Sequence, residues 1–222
     1  IESTKGQQIN CGLNNLYTEV VWYYPASGQN FNNRYVVYNY GETASSKATI
    51  WYTGNEARTT WLDASVYPKP YATKYDSSTN GSFPAVRGIT GLGSTTIFEH
   101  ETGTDQVNAD GSKTTITSFA KSFDFDIKTE ETDGEFFLSL KRFIPDFKNL
   151  QGNAKLTLAV KRFPSQSSTN TALSPFTITS SSLKFDTRAR GRYANIKIEN
   201  DAVSETWRFG TINLDLRPDG RR

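Results

Sequence analysis

Glu99, His100 and Glu101 stand together in "IFEHETG", and His100 is the sole histidine of this 222-residue sequence. In a strand, residues i and i+2 point the same way, so the two glutamates are expected on one face and the imidazole on the other. Paired carboxylates of that kind could serve a glycosidase or hold Ca²⁺, and a plain polar sheet face uses the same residues. Asp124 and Asp126 also share a parity, but their alternation with Phe123, Phe125 and Ile127 accounts for them without catalysis. The sequence has no Gly-x-Ser-x-Gly elbow, no phosphate-cradling Gly-Lys-Ser loop and no His-Glu-x-x-His helix. Cys11 is the single cysteine, so neither an internal disulfide nor a Cys-based metal site can form. The thiol is expected to be buried or half-buried and inert. The expectation is a protein that is not an enzyme, with no catalytic residues, no metal and no cofactor.

Arginines carry the stronger signal. Seven of the twelve lie from Arg188 onward, while residues 124–135 are crowded with acidic side chains against Lys128 alone. In "RARGR", Arg188, Arg190 and Arg192 share a face if the stretch stays extended, and their guanidinium forks suit phosphates or bidentate pairs with carboxylates. With the acidic block elsewhere in the chain, pairing with a neighbouring protein is favoured over DNA. The candidate interface set is Arg188, Arg190, Arg192, Trp207, Arg217, Arg221 and Arg222. Trp207 and Phe209 are expected on a buried face with Arg208 opposite. "RPDGRR" is expected to turn at Pro218–Gly220 and to present Arg221 and Arg222 on a rim.

Trp22, Tyr23, Tyr24, Trp51, Tyr52 and Trp61 are open to two readings. They are core or subunit-interface residues, or they form a platform on which sugar rings stack. Trp22 and Tyr24 share one face of their strand and Tyr23 takes the other.

The elements that must position these residues read as strands throughout. Aromatic residues make up 13% of the chain, Ser and Thr are abundant, and the mean hydropathy is −0.58. Tyr, Phe, Trp, Val and Thr suit half-buried pleated surfaces, and few segments carry the Leu, Ala and Glu of helices. "TEVVWYYP", "RYVVYNY" and "KATIWYTG", joined by the polar linkers "SGQNFNN" and "GETASS", predict an antiparallel meander of three strands. "RTTWLDAS" and "PYATKYD" add an edge element before a Gly-, Ser- and Pro-rich excursion over residues 77–94. From residue 114 the strands lengthen. "SFAKSFDFDI" places Phe119, Phe123, Phe125 and Ile127 at one parity, and "ANIKIEN" sets Ile196 and Ile198 against Lys197 and Glu199; both patterns predict one buried and one wet face. Strands of this kind between short turns predict a two-sheet β-sandwich. No apolar run is long enough to span a membrane, and a net charge of +2 argues against a dedicated nucleic-acid binder. A chain that begins at Ile1 and holds no Met is expected to be processed or to be part of something longer.

Seven motifs in order, "VWYYPASG", "RYVVYNY", "ARTTW", "IFEHETG", "RFIPDF", "RARGRYANIKIEN" and "TWRFGTINLDLRPDGRR", resemble the C-terminal part of the tail nozzle, or tail hub, proteins of short-tailed bacteriophages. The resemblance runs from about Trp22 to Arg222. It implies a virion structural protein that forms a hexameric ring below the portal and adaptor, contacts other tail proteins such as the adaptor and fibres, and lets genomic DNA pass along its axis. It further implies an all-β fold of antiparallel β-propeller-like blades followed by a C-terminal β-sandwich platform. On this reading residues 1–17 are a loop segment, 18–105 the propeller-like region and 106–222 the sandwich. The loops "YNYGETASSKATIWYTG" and "SSTNGSFPAVRGITGLGSTT" depart from the pattern. The alternative is a carbohydrate-binding β-sandwich module with a Trp/Tyr stacking surface.

Overall fold

The computed structural model describes residues 3–65, 67–76, 94–108, 110–129, 132–133, 136–163, 171–173, 175–200 and 202–221. Its contacts divide the chain into two compact units, Ile1–Thr102 and Gly103–Arg222. Both are built of antiparallel strands, so the protein is all-β. Among the described residues no helix is long and apolar enough to cross a membrane.

In the first unit, Asn10–Asn14 (β1), Glu19–Tyr24 (β2), Arg34–Asn39 (β3) and Ile50–Gly54 (β4) form one sheet in sequence order. β1 lies within the segment expected to be mostly loop. The linker between β3 and β4 is not a simple hairpin loop, because Tyr40–Ser46 forms a helix (α1). Asn39 caps it by accepting from the Glu42 amide at 2.7 Å, and Lys47 ends it in the left-handed region at φ 58°. Asn followed three residues later by Glu is a helix-start signal, and here the cap outweighs the turn-forming composition. Thr60–Leu62 (β5), Tyr71–Asp76 (β6) and Ser94–Glu99 (β7) make a separate three-stranded sheet rather than an edge of the first. Most of the Gly-rich excursion, residues 77–93, lies outside the described residues.

The second unit begins with a small hairpin, Asp105–Val107 (β8) and Lys113–Thr115 (β9), followed by Phe119–Lys121 (β10) and the short pair Lys128–Thr129 (β11) and Thr132–Asp133 (β12). Two 16-residue strands, Phe136–Gln151 (β13) and Thr206–Arg221 (β19), pair along their lengths. Between them in sequence come Ala154–Lys161 (β14), Thr171–Ala172 (β15), Phe176–Ile178 (β16), Phe185–Gly191 (β17) and Tyr193–Glu199 (β18). One sheet has the order β17-β13-β19; the other has the order β10-β18-β14-β15, with β16 also pairing with β14.

Both sheets feed one apolar cluster. Leu138, Leu140 and Phe143 come from β13, Leu156 and Leu158 from β14, Ala189 from β17, and Ile196 and Ile198 from β18. In β13 the buried positions are even at Leu138 and Leu140 and odd at Phe143, because the register shifts between Leu140 and Arg142 against both neighbours. A bulge of this kind flips the side-chain parity while the strand continues. Pro145 is tolerated two residues later because β17 no longer pairs there: the last β13–β17 pair is Phe143 with Phe185.

Two strand-level expectations change. Phe119 and Phe123 are 64% and 96% exposed rather than buried with Phe125. β10 is only three residues long, and its register sets Phe119 opposite Glu199 with the Lys197 ammonium over its ring, on the face of β18 away from Ile198. Phe125 is held by a single bridge to Ala194 and packs against the core from there. The expected turn at Pro218–Gly220 is instead part of β19, where Pro218 pairs with Leu138 and Arg221 with Phe136. Three steps on β19 match two on β13, and Gly220 at φ 83° absorbs the extra residue as a bulge.

Candidate functional site

The shared strand face expected for Glu99 and Glu101 does not form. β7 ends at Glu99, and Glu101 has φ 57°, so the i, i+2 rule no longer applies. Glu99 accepts from Thr102 and from the Tyr71 hydroxyl, which together hold its carboxyl below the usual range. Glu101 accepts from Asn14 Nδ2 at 2.8 Å, and burial pushes its carboxyl up.

His100 lies in a different setting. Its Nε2 accepts from Arg58 Nε at 2.8 Å, and its ring lies 4.8 Å from that of Trp61. Arg58 is only 4% exposed, pairs with Glu56 and sits over the Phe98 ring at 4.3 Å. Trp61 in turn occupies the space above Gly12, where a Cβ would meet the indole at 1.9 Å, and donates to the Leu13 carbonyl. Burial, reinforced by the neighbouring guanidinium, lowers the His100 pKa from 6.5 to about 4. The imidazole is therefore a neutral acceptor that orients a buried arginine.

Because the unfolded chain takes up the His100 proton first, stability falls as pH drops from about 6.5 towards 4, by up to about 3 kcal/mol from this group. Glu56 and Glu101, both raised by burial, act in the opposite sense. The histidine contribution is thus the difference between wild type and His100→Gln: urea titrations at pH 7 and pH 4.5 should show the variant losing about 2 kcal/mol less. Equal pH dependence in the two proteins would contradict a neutral His100.

The aromatic residues divide between two faces. Tyr23, 3% exposed, packs with Tyr35 and Trp61 on one face of the β1–β4 sheet. Trp22, Tyr38 and Trp51 line the other, with ring centroids 6.0 Å apart for Trp22–Trp51 and 4.7 Å for Tyr38–Trp51, and Trp51 is 52% exposed. Cys11 pairs across from Trp22 and is exposed rather than buried; partial desolvation and Asp63 push its thiol up, which keeps it protonated.

The arginines expected at an interface cluster in the second unit. Along β17, Asp186, Arg188 and Arg190 are exposed while Ala189 and Gly191 are buried, so Arg188 and Arg190 share a face. Arg190 donates from Nε to Asp219 Oδ2 and from Nη2 to the Asp219 carbonyl at 3.0 Å, and its guanidinium lies 4.4 Å from the Phe137 ring centre. Arg192 follows the end of β17, yet its guanidinium returns to the same ring at 5.3 Å. Arg188 has no ion pair or hydrogen bond among the described residues. Arg217 lies 3.5 Å from Asp215, and Trp207 is half-buried against Phe147 with its indole N–H lacking an acceptor among the described residues. Arg221 ends β19, and Arg222 lies outside the described residues.

Sequence reasoning missed three members of this cluster, Phe137, Arg162 and Phe163. Phe137, Arg162, Phe163, Arg190 and Arg192 together line an open groove of about 680 Å³. Arg162 and Phe163 follow β14, and they meet Arg192 because its amide donates to the Lys161 carbonyl at 2.8 Å. The pairing between strands distant in sequence brings them together; nothing in the local pattern of "VKRF" signals it. Among the described residues no group of His, Cys, Asp and Glu is placed to hold a metal ion. A comparison of the chain with protein-family models and with curated protein sequences finds no match.

Proposed function

We propose that the chain is a structural protomer of a short-tailed phage tail nozzle, a non-enzymatic virion component that assembles into a hexameric ring with adaptor and fibre proteins around the path of the genomic DNA. The observation that carries this reading is the face of the β17-β13-β19 sheet, where exposed Arg188, Arg190 and Arg217 are displayed on a platform of two 16-residue strands. Such a platform is stiff, and its permanent charges suit docking to carboxylates of a neighbour. Arg190 and Arg217 already hold Asp219 and Asp215, so of these three Arg188 is the donor available to another chain. The four antiparallel strands of the β1–β4 sheet, in sequence order, have the make-up of a propeller blade, and the two sheets around one core in the second unit suit a sandwich platform.

Light scattering at two salt concentrations tests the reading. A ring, or a monomer that assembles on meeting virion partners, is the expected result, and Arg188→Glu should weaken that assembly more than Arg208→Glu does. A strict monomer that ignores those partners would overturn it. A second reading, carbohydrate binding, is favoured by the exposed Trp22–Tyr38–Trp51 face. It requires retention on immobilised polysaccharide that is lost in Trp51→Ala.

A further inference from the structure

We propose that the groove lined by Phe137, Arg162, Phe163, Arg190 and Arg192 is a binding site for a nucleoside phosphate, taken either as a free nucleotide or as a unit of a single DNA strand. This stands whether or not the chain forms a ring.

The lining determines the chemistry. Among the described residues its polar lining side chains are all guanidiniums, which only donate hydrogen bonds and never lose their charge; Arg162 already has a partner, and Arg190 and Arg192 make the complementary ligand an anion rich in acceptors. A neutral sugar, which needs acceptors as well as donors, leaves these groups unmatched. Arg190 is held in place by its two bonds to Asp219, and Arg192 lies over the same Phe137 ring with no hydrogen-bond acceptor for its guanidinium among the described residues. Two cations oriented by one ring make a pre-organised clamp, and a phosphate offers it more acceptor oxygens than one carboxylate does. Beside them Phe163 is 62% exposed, and its ring stacks on no other among the described residues. An exposed aromatic face next to phosphate-binding cations is the arrangement that holds a base and its phosphate together. The volume, about 680 Å³, admits one nucleotide.

Calorimetric titration of the whole chain at low salt, with thymidine 5′-monophosphate, inorganic phosphate, a ten-nucleotide oligo(dT) and polyglutamate, tests this. The nucleotide should bind about tenfold more tightly than inorganic phosphate, the difference coming from stacking. Arg192→Gln should weaken nucleotide binding about tenfold or more. Phe163→Ala should bring nucleotide affinity down to that of phosphate while leaving phosphate binding unchanged, and Arg208→Gln, outside the groove, should change neither. Phe163 is exposed and Arg192 half-buried, and neither belongs to the apolar cluster, so circular dichroism should show the native fold retained. Oligo(dT) binding well above the monophosphate, with a steep salt dependence, would assign the site to a strand; equal affinity per nucleotide would assign it to free nucleotide. Phosphate or polyglutamate binding as tightly as the nucleotide, or full affinity in Arg192→Gln, would overturn the proposal.

Discussion

Phe143→Ala should cost about 3–5 kcal/mol in urea denaturation of the second unit, the largest loss expected from any single truncation here. Phe143 is 1% exposed and stacks with Phe185 at 5.0 Å, and its edge contacts involve Phe176 at 5.0 Å. Those partners sit on β17 and β16, while β13 itself is paired to β19 along its length. With strands fixed around it, the site cannot collapse onto the cavity, so the lost transfer energy and the cavity term add. Phe123→Ala is the matched control: at 96% exposure the same truncation should stay within about 0.5 kcal/mol. The two rings are chemically identical and belong to the same unit, so the difference reports chiefly their burial. Similar losses in both variants would show that the apolar cluster around β13 is not the core.

Gly191→Val should destabilise the same unit by about 1–3 kcal/mol or more, with Gly191→Ala between it and wild type. Gly191 ends β17 in one sheet, and Tyr193 begins β18 in the other, so the chain changes sheets across Arg192. A Cβ at Gly191 would stand 2.9 Å from the Lys161 carbonyl oxygen and 2.9 Å from Val160 Cβ. The obstruction is partly backbone, and that carbonyl also receives the Arg192 amide at 2.8 Å, so relief of the clash breaks a hydrogen bond. The expected second effect is on the groove: moving this crossing moves Arg192 away from Phe137, and nucleotide affinity should fall together with stability. Wild-type stability in Gly191→Val would mean that the two sheets are not joined this closely.

Much of the fold is legible in the sequence. Alternation in "ANIKIEN" places Ile196 and Ile198 inward, at 7% and 3% exposure, and Lys197 outward, where it pairs with Glu199. The same rule failed for "SFAKSFDFDI", because period two buries a face only while the strand stays paired, and β10 is paired for three residues. Residues 39–42 carried a helix signal, Asn followed by Glu at the right spacing, which the turn-like composition of "GETASS" obscured. "RPDGRR" has the composition of a turn, yet pairing with β13 draws Pro218 to Arg221 into a strand.

The candidate site was half legible. Arg188 and Arg190 share a face by parity, as their spacing implies. Arg192, Arg162 and Phe163 meet only because β17 passes into β18 over the end of β14, a contact between residues about thirty apart in sequence. Glu99 and Glu101 were separated by one backbone angle, φ 57° at Glu101, which no residue pattern announces. By itself the sequence determined the all-β class, the inward residues of the well-paired strands and the clustering of arginines late in the chain, because composition and period two act locally. Tertiary structure alone decided which arginines find a carboxylate within the chain, which aromatic rings are covered and where a groove opens, because those outcomes depend on register and on strands that meet only after folding.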